Sequence, residues 1–190
     1  NNGNTLKLVP SEETIVKNEF INNIALNNNN LFYLNTYGSL YSININNLNL
    51  NWFQNFNQSL DINPSNLFEG NCLVSIYNKL ILSTNKNLYV LDISTGAILF
   101  KKNLSSSINP VVLGKNVFIV TNNNLLVSID LETFEIVYSF DINQKVSDFL
   151  KSKKYKLKFH NIMIVNSKIY IYLKNSYILK FNLNGNLEKI

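Results

Sequence analysis

The sequence predicts an all-β protein made of four repeated four-stranded units. Short β-rich runs separated by polar turns recur along the chain. One turn pattern occurs four times, at successive intervals of 48, 38 and 52 residues. No segment keeps a helical periodicity over ten residues. A chain of 190 residues is long enough for one domain with a sizeable core.

The four copies share an apolar strand, an Asp or Asn at its end, a short turn and a bulky residue eight positions later. We call the Asp or Asn the anchor. The anchors are Asn44, Asp92, Asp130 and Asn182. The residues eight positions later are Trp52, Phe100, Tyr138 and Ile190. An anchor side chain can accept hydrogen bonds from backbone amides of the turn, while Gly96 and Gly185 supply a left-handed position. We expect the bulky residue to lie on the outermost strand and to pack against the neighbouring unit.

A hairpin precedes each of these strand pairs. The hairpins turn at "NNNN", "YNK", "GKN" and "NSK", so each unit has four strands. Four-stranded units at this spacing are typical of β-propeller blades. We predict one β-propeller domain over residues 1–190, with blades at 21–60, 70–105, 109–145 and 160–190. Only "PSEETIV" and "SDFLK" have weak helical character, each over about one turn.

The composition excludes several function classes. The chain has 37 Asn, which suits loops, and all 17 basic residues are Lys. Because precise phosphate and base recognition favours Arg, we expect no nucleic-acid partner. Cys72 is alone in an apolar run, which excludes a disulfide framework and predicts a small buried core residue. No apolar stretch reaches the roughly 18 residues of a membrane span.

The stretch "LYVLDISTGAILF" resembles the pyrroloquinoline quinone (PQQ)-like propeller repeat. Asp92, Thr95 and Gly96 match that motif, and Phe100 stands where the motif has Trp. The other copies match less closely. The first has Trp52 but Asn44 and no turn glycine; the third has Asp130, Thr133 and Tyr138 but Phe134 for the glycine; the fourth has Asn182 and Gly185. The resemblance covers about residues 20–190.

Within that superfamily the chain is similar to the BamB family of outer-membrane assembly lipoproteins. The resemblance implies a non-enzymatic periplasmic scaffold, associated with the outer membrane, whose protein partners include a β-barrel assembly complex. Such propellers usually have eight blades, so we expect a part of a larger propeller, in a mature or truncated form, or a chain that completes its ring with other copies. Open edge blades would then drive self-association. A closed four-bladed ring is the less favoured alternative.

An enzyme of this superfamily would bind PQQ and calcium through converging carboxylates. Most acidic residues here map to turns or loops instead: Glu12, Glu13, Asp61, Glu69, Asp92, Asp130, Glu132, Glu135, Asp141 and Asp148. His160, the only His, has no carboxylate or nucleophile near it in sequence. We predict no enzymatic activity, no cofactor and no metal. Two alternatives stay open: a fragment of a PQQ-dependent dehydrogenase, and a eukaryotic luminal or membrane-complex propeller.

The most distinctive charge feature is "LKSKKYKLKFH", from Leu150 to His160. Its lysines are Lys151, Lys153, Lys154, Lys156 and Lys158. From Lys154 onward, alternation with apolar residues predicts a strand whose lysines face water. One interpretation is a contact for an anionic partner, namely an acidic protein, a peripherally bound anionic lipid surface or, least favoured, nucleic acid. The other, which we prefer, is an edge strand protected by lysines against aggregation.

Overall fold

The computed structural model describes residues 23–57, 70–106 and 108–190, together with Asn4, Thr5 and Leu8. These residues form four antiparallel sheets of four strands and one helix, and in each sheet the strands follow one another in chain order. The predicted all-β class is therefore confirmed. We call the sheets blades 1 to 4. The "PSEETIV" segment and residues 21, 22 and 58–60 of the predicted first blade lie outside the described residues.

The chain divides into two compact units, Asn1–Thr84 with Tyr89–Lys101, and Asn85–Leu88 with Lys102–Ile190. The first unit holds blade 1 and nearly all of blade 2. The strands of blade 1 are β1 (Asn23–Asn27), β2 (Asn30–Leu34), β3 (Ser39–Asn44) and β4 (Leu50–Asn55). Those of blade 2 are β5 (Gly70–Ile76), β6 (Lys79–Thr84), β7 (Leu88–Asp92) and β8 (Ile98–Lys102).

The core of the first unit lies between its two sheets. Phe32, Leu34 and Leu40 of blade 1 are fully buried and pack with Leu80 and Leu82 of blade 2. Because side chains alternate between the two faces of a strand, every second residue of the middle strands reaches this core. The outermost strand β4 is more exposed than the strands inside it, so its side chains are available for contacts beyond the blade.

The second unit holds blades 3 and 4. The strands of blade 3 are β9 (Val111–Leu113), β10 (Asn116–Val120), β11 (Leu125–Asp130) and β12 (Ile136–Asp141). The helix α1 (Ile142–Leu150) follows directly. The strands of blade 4 are β13 (Phe159–Val165), β14 (Lys168–Leu173), β15 (Ile178–Asn182) and β16 (Leu187–Lys189). Phe118 and Leu126 of blade 3 pack with Ile169, Ile171 and Phe181 of blade 4 in a buried cluster.

The helix α1 corrects the expectation of about one helical turn at "SDFLK". It has nine residues. Asp141 caps its first turn by accepting a hydrogen bond from the Gln144 backbone N–H at 3.2 Å. Ile142 and Val146, one helical turn apart, are buried in the core of the second unit. Packing of this apolar face stabilises a helix that is too short to be stable by itself.

The segment 151–158 corrects the predicted strand. It has no regular structure, and β13 begins only at Phe159. The backbone N–H of Leu157 donates to the side-chain oxygen of Asn143 at 3.0 Å, so it is not available to a sheet. The interpretation as a protected edge strand is therefore wrong. We call residues 151–158 the lysine loop.

Candidate interaction site

The turn between the third and fourth strands of each blade is built around its anchor. In blade 2 the Asp92 carboxylate accepts hydrogen bonds from the backbone N–H groups of Ser94 and Thr95, both at 2.9 Å, and from the Thr95 hydroxyl at 3.0 Å. That hydroxyl in turn accepts from the Ala97 N–H at 3.2 Å. The turn's own donors are thus satisfied by two short polar side chains.

Blade 1 builds the same turn from amides. The Asn44 side-chain oxygen accepts from the backbone N–H groups of Asn46 at 2.9 Å and Asn47 at 3.4 Å. The Asn47 side chain replaces the threonine and accepts from the Asn49 N–H at 3.0 Å. An anchor therefore needs an acceptor oxygen and not a charge.

In blade 3 the Asp130 carboxylate accepts from the Glu132 N–H at 2.8 Å and the Thr133 N–H at 3.2 Å. The residue four positions after each of the first three anchors has a positive φ: 57° at Leu48, 74° at Gly96 and 60° at Phe134. The missing glycines in blades 1 and 3 therefore do not change the turn's geometry, although Leu48 and Phe134 are strained there.

The blade 4 turn is one residue shorter. The Asn182 backbone N–H donates to the carbonyl four residues later, whereas the other anchors donate to the carbonyl five residues later. Its glycine, Gly185, has φ +77° and follows the anchor by three residues. In blade 3 the residue two positions before the anchor, Ser128, pairs with Tyr138, eight positions after the anchor. In blade 4 the equivalent residue, Lys180, pairs with Lys189, only seven positions after Asn182. The expectation that Ile190 is equivalent to Trp52 is wrong, because the shorter turn moves the register by one.

Two of the predicted bulky residues lie against a turn of the next blade in the same unit. The Trp52 indole N–H donates to the Ile93 carbonyl at 3.0 Å, and a Cβ on Gly96 would approach Trp52 Cε3 to 2.7 Å. In the second unit Tyr138 stacks on Phe140, and a Cβ on Gly185 would lie 2.9 Å from the Tyr138 ring. The glycines thus serve both the turn and the inter-blade contact.

Phe100 lies in the middle of β8 and is half-buried. It occupies the strand position predicted for the repeat's bulky residue.

The anchor carboxylates are held by structural contacts. The hydrogen bond from the Thr95 N–H is the main reason that the pKa of Asp92 lies below its ordinary value. The Lys115 ammonium, 2.9 Å from the Asp130 carboxylate, lowers the pKa of Asp130, and its own pKa rises in return. Both carboxylates stay ionised at neutral pH and are poor general bases.

Other groups that could carry chemistry are dispersed. Within the described ranges, no group of three or more His, Cys, Asp or Glu side chains could hold a metal ion. His160 is exposed at the start of β13. Cys72 is buried, and burial raises the pKa of its thiol to about 12, which disfavours the reactive thiolate. Glu12, Glu13, Asp61 and Glu69 lie outside the described residues.

The lysine loop folds back along α1. The Lys154 ammonium contacts the Asp141 carboxylate at 2.6 Å, at the start of the helix. Asn124, which is 5% exposed, donates to the Asn143 side-chain oxygen at 3.0 Å and to the Leu157 carbonyl at 2.9 Å. One buried amide therefore ties together blade 3, the helix and the loop. Because Asn suits loops in general, the sequence does not single out Asn124, and its position in the fold gives it this role.

A polar pocket of about 380 Å³ opens beside this bridge. It is lined by Asn122, Asn123, Asn124, Asp141, Asn143, Lys154, Tyr155 and Lys156. A second pocket of about 320 Å³ shares Asn122 and Asn123 with it. The structure therefore brings Lys154 and Lys156 together around a polar recess, whereas Lys151, Lys153 and Lys158 are exposed along the rest of the loop.

The single helix of the described ranges is neither long nor apolar enough to cross a membrane.

Comparison with known proteins places these features in a fold. No protein-family model matches the chain. The chain is 29% identical over 106 residues to the outer membrane protein assembly factor BamB of Legionella pneumophila (strain Paris), which covers 55% of this chain and 26% of that protein. The chain is similar to BamB. The crystal structure of BamB from Moraxella catarrhalis superposes with a TM-score of 0.63 at 15% identity, over 89% of this chain and 49% of that one.

Two further solved structures share the fold. The computationally designed Ika4 protein has a TM-score of 0.62 at 11% identity, over 92% of this chain and 99% of that one. The quinohemoprotein alcohol dehydrogenase of Comamonas testosteroni has a TM-score of 0.62 at 12% identity, over 85% of this chain and 33% of that one. The predicted β-propeller class and the predicted similarity to BamB and PQQ-like propellers are confirmed. The chain spans about half the length of the Moraxella protein and a smaller share of the Legionella one.

Proposed function

We propose that the chain is a non-catalytic β-propeller scaffold with a BamB-like role in the assembly of outer-membrane β-barrel proteins. The observation that carries this proposal is the 29% identity to an outer membrane protein assembly factor over 106 residues. The proposal includes a periplasmic location at the outer membrane and protein partners in an assembly complex. The single-domain, partial-propeller organisation over residues 1–190, with its open blade edges, belongs to the same proposal.

The chemistry of the described residues supports a binding role over catalysis. Asp92 and Asp130 are engaged by the turns that they organise, and burial keeps Cys72 protonated. The polar recess beside Asn124 has its one carboxylate, Asp141, paired with Lys154. Its amide and ammonium groups can bind a partner but offer no activated nucleophile or poised base.

The catalytic alternative has a direct test. The similarity to an alcohol dehydrogenase, at 12% identity, is a likeness of fold alone. Purified protein is mixed with PQQ and calcium, and quinone absorbance after desalting and alcohol-dependent dye reduction are measured. We expect neither retained quinone nor turnover. Dye reduction that requires both additions would contradict the non-catalytic assignment.

The partner proposal is tested by affinity purification from the cells that encode the protein. The tagged protein is expressed at its native level, the envelope is solubilised in mild detergent and bound proteins are identified by mass spectrometry. We expect an outer-membrane assembly complex. Recovery without partners, or with a respiratory-chain enzyme, would contradict the proposal.

A pair of matched variants locates the contact. K151Q/K153Q/K156Q removes three exposed charges from the lysine loop, and K102Q/K174Q/K189Q removes three exposed charges elsewhere. If the loop contacts the partner, only the first variant loses it. Equal recovery of the partner by both variants would show that the contact lies outside the lysine loop.

A further inference from the structure

One surface of the second unit joins the C-terminal end of α1 to the lysine loop. Along α1, Ile142, Val146, Phe149 and Leu150 fall on one helical face. Ile142 and Val146 are 0% and 2% exposed, whereas Phe149 and Leu150 are 48% and 47% exposed. The apolar face of the helix therefore continues out of the core into solvent at its C-terminal end.

The lysine loop surrounds this apolar end with positive charge. Lys151 and Lys153 follow Leu150 directly, and both are exposed. Among the described residues, no carboxylate lies within ion-pair distance of either, or of Lys156. Tyr155, which is 49% exposed, adds an aromatic ring to the same segment.

The contacts at the start of the helix fix the shape of this surface. The Lys154–Asp141 ion pair and the bond from Leu157 to Asn143 hold the loop alongside α1, whose length is about 13 Å. Basic and apolar side chains are thus presented together on one short strip. We call the exposed side chains of Phe149, Leu150 and the lysine loop the basic-apolar strip.

We propose that the basic-apolar strip docks on an anionic lipid surface. Phe149 and Leu150 enter the boundary between headgroups and acyl chains, and Tyr155 lies at headgroup level. Lys151, Lys153 and Lys156 contact acidic headgroups, and their long stems let them reach these groups from the edge of the strip.

A lipid surface fits this strip better than an acidic protein does. A stable protein interface buries about 800 Å² on each partner and has a continuous apolar core. Here the apolar part consists of Phe149 and Leu150, and flexible lysines surround it. A fluid headgroup layer requires no shape complementarity from such side chains. Each apolar group and each charge then contributes separately to the free energy of binding.

The experiment is co-sedimentation of the full 190-residue chain with lipid vesicles. Phosphatidylcholine vesicles are compared with vesicles that contain about 30% phosphatidylglycerol, an anionic lipid. The variants are F149S/L150S, K151Q/K153Q/K156Q and the charge-matched control K102Q/K174Q/K189Q. Thermal unfolding, monitored by circular dichroism, checks that each variant is folded. We expect all three variants to fold, because the eight substituted side chains are exposed.

We expect binding to the anionic vesicles and much weaker binding to phosphatidylcholine alone. Each lysine near an anionic surface increases affinity about fivefold, so K151Q/K153Q/K156Q weakens binding about a hundredfold. F149S/L150S weakens it at least about tenfold with charge unchanged. The control variant binds substantially more tightly than K151Q/K153Q/K156Q. Raising the salt from about 0.1 M to about 1 M weakens wild-type binding.

Three outcomes would overturn the inference. The first is absence of binding to anionic vesicles. The second is equal loss in the lysine-loop and control variants, which means that net charge and not the strip is responsible. The third is binding to soluble polyglutamate as tight as to vesicles, with F149S/L150S unchanged, which indicates an acidic protein partner. Because vesicle binding needs no assembly partner, these outcomes are independent of the proposed scaffold role.

Discussion

The indole N–H of Trp52 donates a hydrogen bond to the backbone carbonyl of Ile93 over 3.0 Å. Trp52 belongs to the outermost strand of blade 1, and Ile93 lies in the turn that Asp92 organises in blade 2. The same turn presents Gly96 to the indole ring. Within each unit the turn of the second blade therefore receives the aromatic side chain of the first: Trp52 lies against Gly96, and Tyr138 lies against Gly185.

Gly96→Ala tests how closely this contact is packed. The added Cβ would lie 2.7 Å from Trp52 Cε3 at a residue with φ +74°, so steric overlap adds to backbone strain. We expect a loss of about 2–4 kcal/mol in the free energy of unfolding, measured by urea denaturation. Gly114→Ala is the matched control, since Gly114 has φ +58° and no heavy atom within 4 Å of its would-be Cβ. Equal losses in the two variants would show that the Trp52 contact is loose.

Trp52 substitutions separate its hydrogen bond from its packing. Trp52→Phe keeps an aromatic ring, as at Phe100, but leaves the Ile93 carbonyl without its donor, which costs about 1–2 kcal/mol. Trp52→Ala also removes the ring from a half-buried site and costs about 3 kcal/mol. Chemical denaturation monitored by far-ultraviolet circular dichroism measures both losses. A Phe variant as destabilised as the Ala variant would contradict this division.

The anchors predict a defined response to acid. Because the folded-state pKa of Asp92 is depressed below 3.8, its contribution to stability is present above that value and is lost as the pH falls through the folded pKa. Asp92→Asn keeps the acceptor oxygen that Asn44 already supplies in blade 1, so the turn persists. We expect the difference in unfolding free energy between neutral and strongly acidic pH to be smaller in this variant than in the wild type.

The converse substitution provides the control for this acid response. Asn44→Asp should increase the loss of stability on acidification, because it introduces a carboxylate that accepts the same turn hydrogen bonds. The measurement is the urea midpoint at several pH values for both variants. Unchanged acid sensitivity in both would mean that the anchor charge is not coupled to folding.

Asn124 is expected to control the lysine loop. Asn124→Ala removes the donor to Asn143 and Leu157 and also strains a residue with φ +62°. Asn124→Gly removes the same bonds without that strain. We expect trypsin to cleave the lysine loop faster in both variants. The free energy of unfolding of the Ala variant should fall by about 2–3 kcal/mol. Unchanged cleavage would show that the loop is held by other contacts.

The repeat could be predicted from sequence because its chemistry is local. An anchor, its turn amides and the residue of positive φ lie within a few positions of one another, so spacing alone identifies Asp92 and Gly96. Phe134 and Leu48 adopt the same conformation without glycine, which a motif search alone would not find. The one-residue deletion in the Asn182 turn changed a register that equal spacing had assumed.

The candidate site could not be predicted to the same degree, because its contacts are distant in sequence. Whether α1 forms depends on a core that accepts Ile142 and Val146. The alternation of Lys with apolar residues after Lys154 is typical of a strand, but Asn143 binds the backbone of Leu157, 14 residues away. The cluster of lysines at 151–158 could be identified from the sequence alone, whereas their anionic partner is a proposal.

The central claim, a scaffold role in outer-membrane protein assembly, is tested most directly by depleting the protein in the cells that encode it. Folded outer-membrane β-barrel proteins are then quantified by heat-modifiable gel mobility and mass spectrometry. The account predicts that their levels fall, and that expression of the full-length wild-type protein restores them. Unchanged β-barrel levels after complete depletion, or a source cell that has no outer membrane, would contradict it.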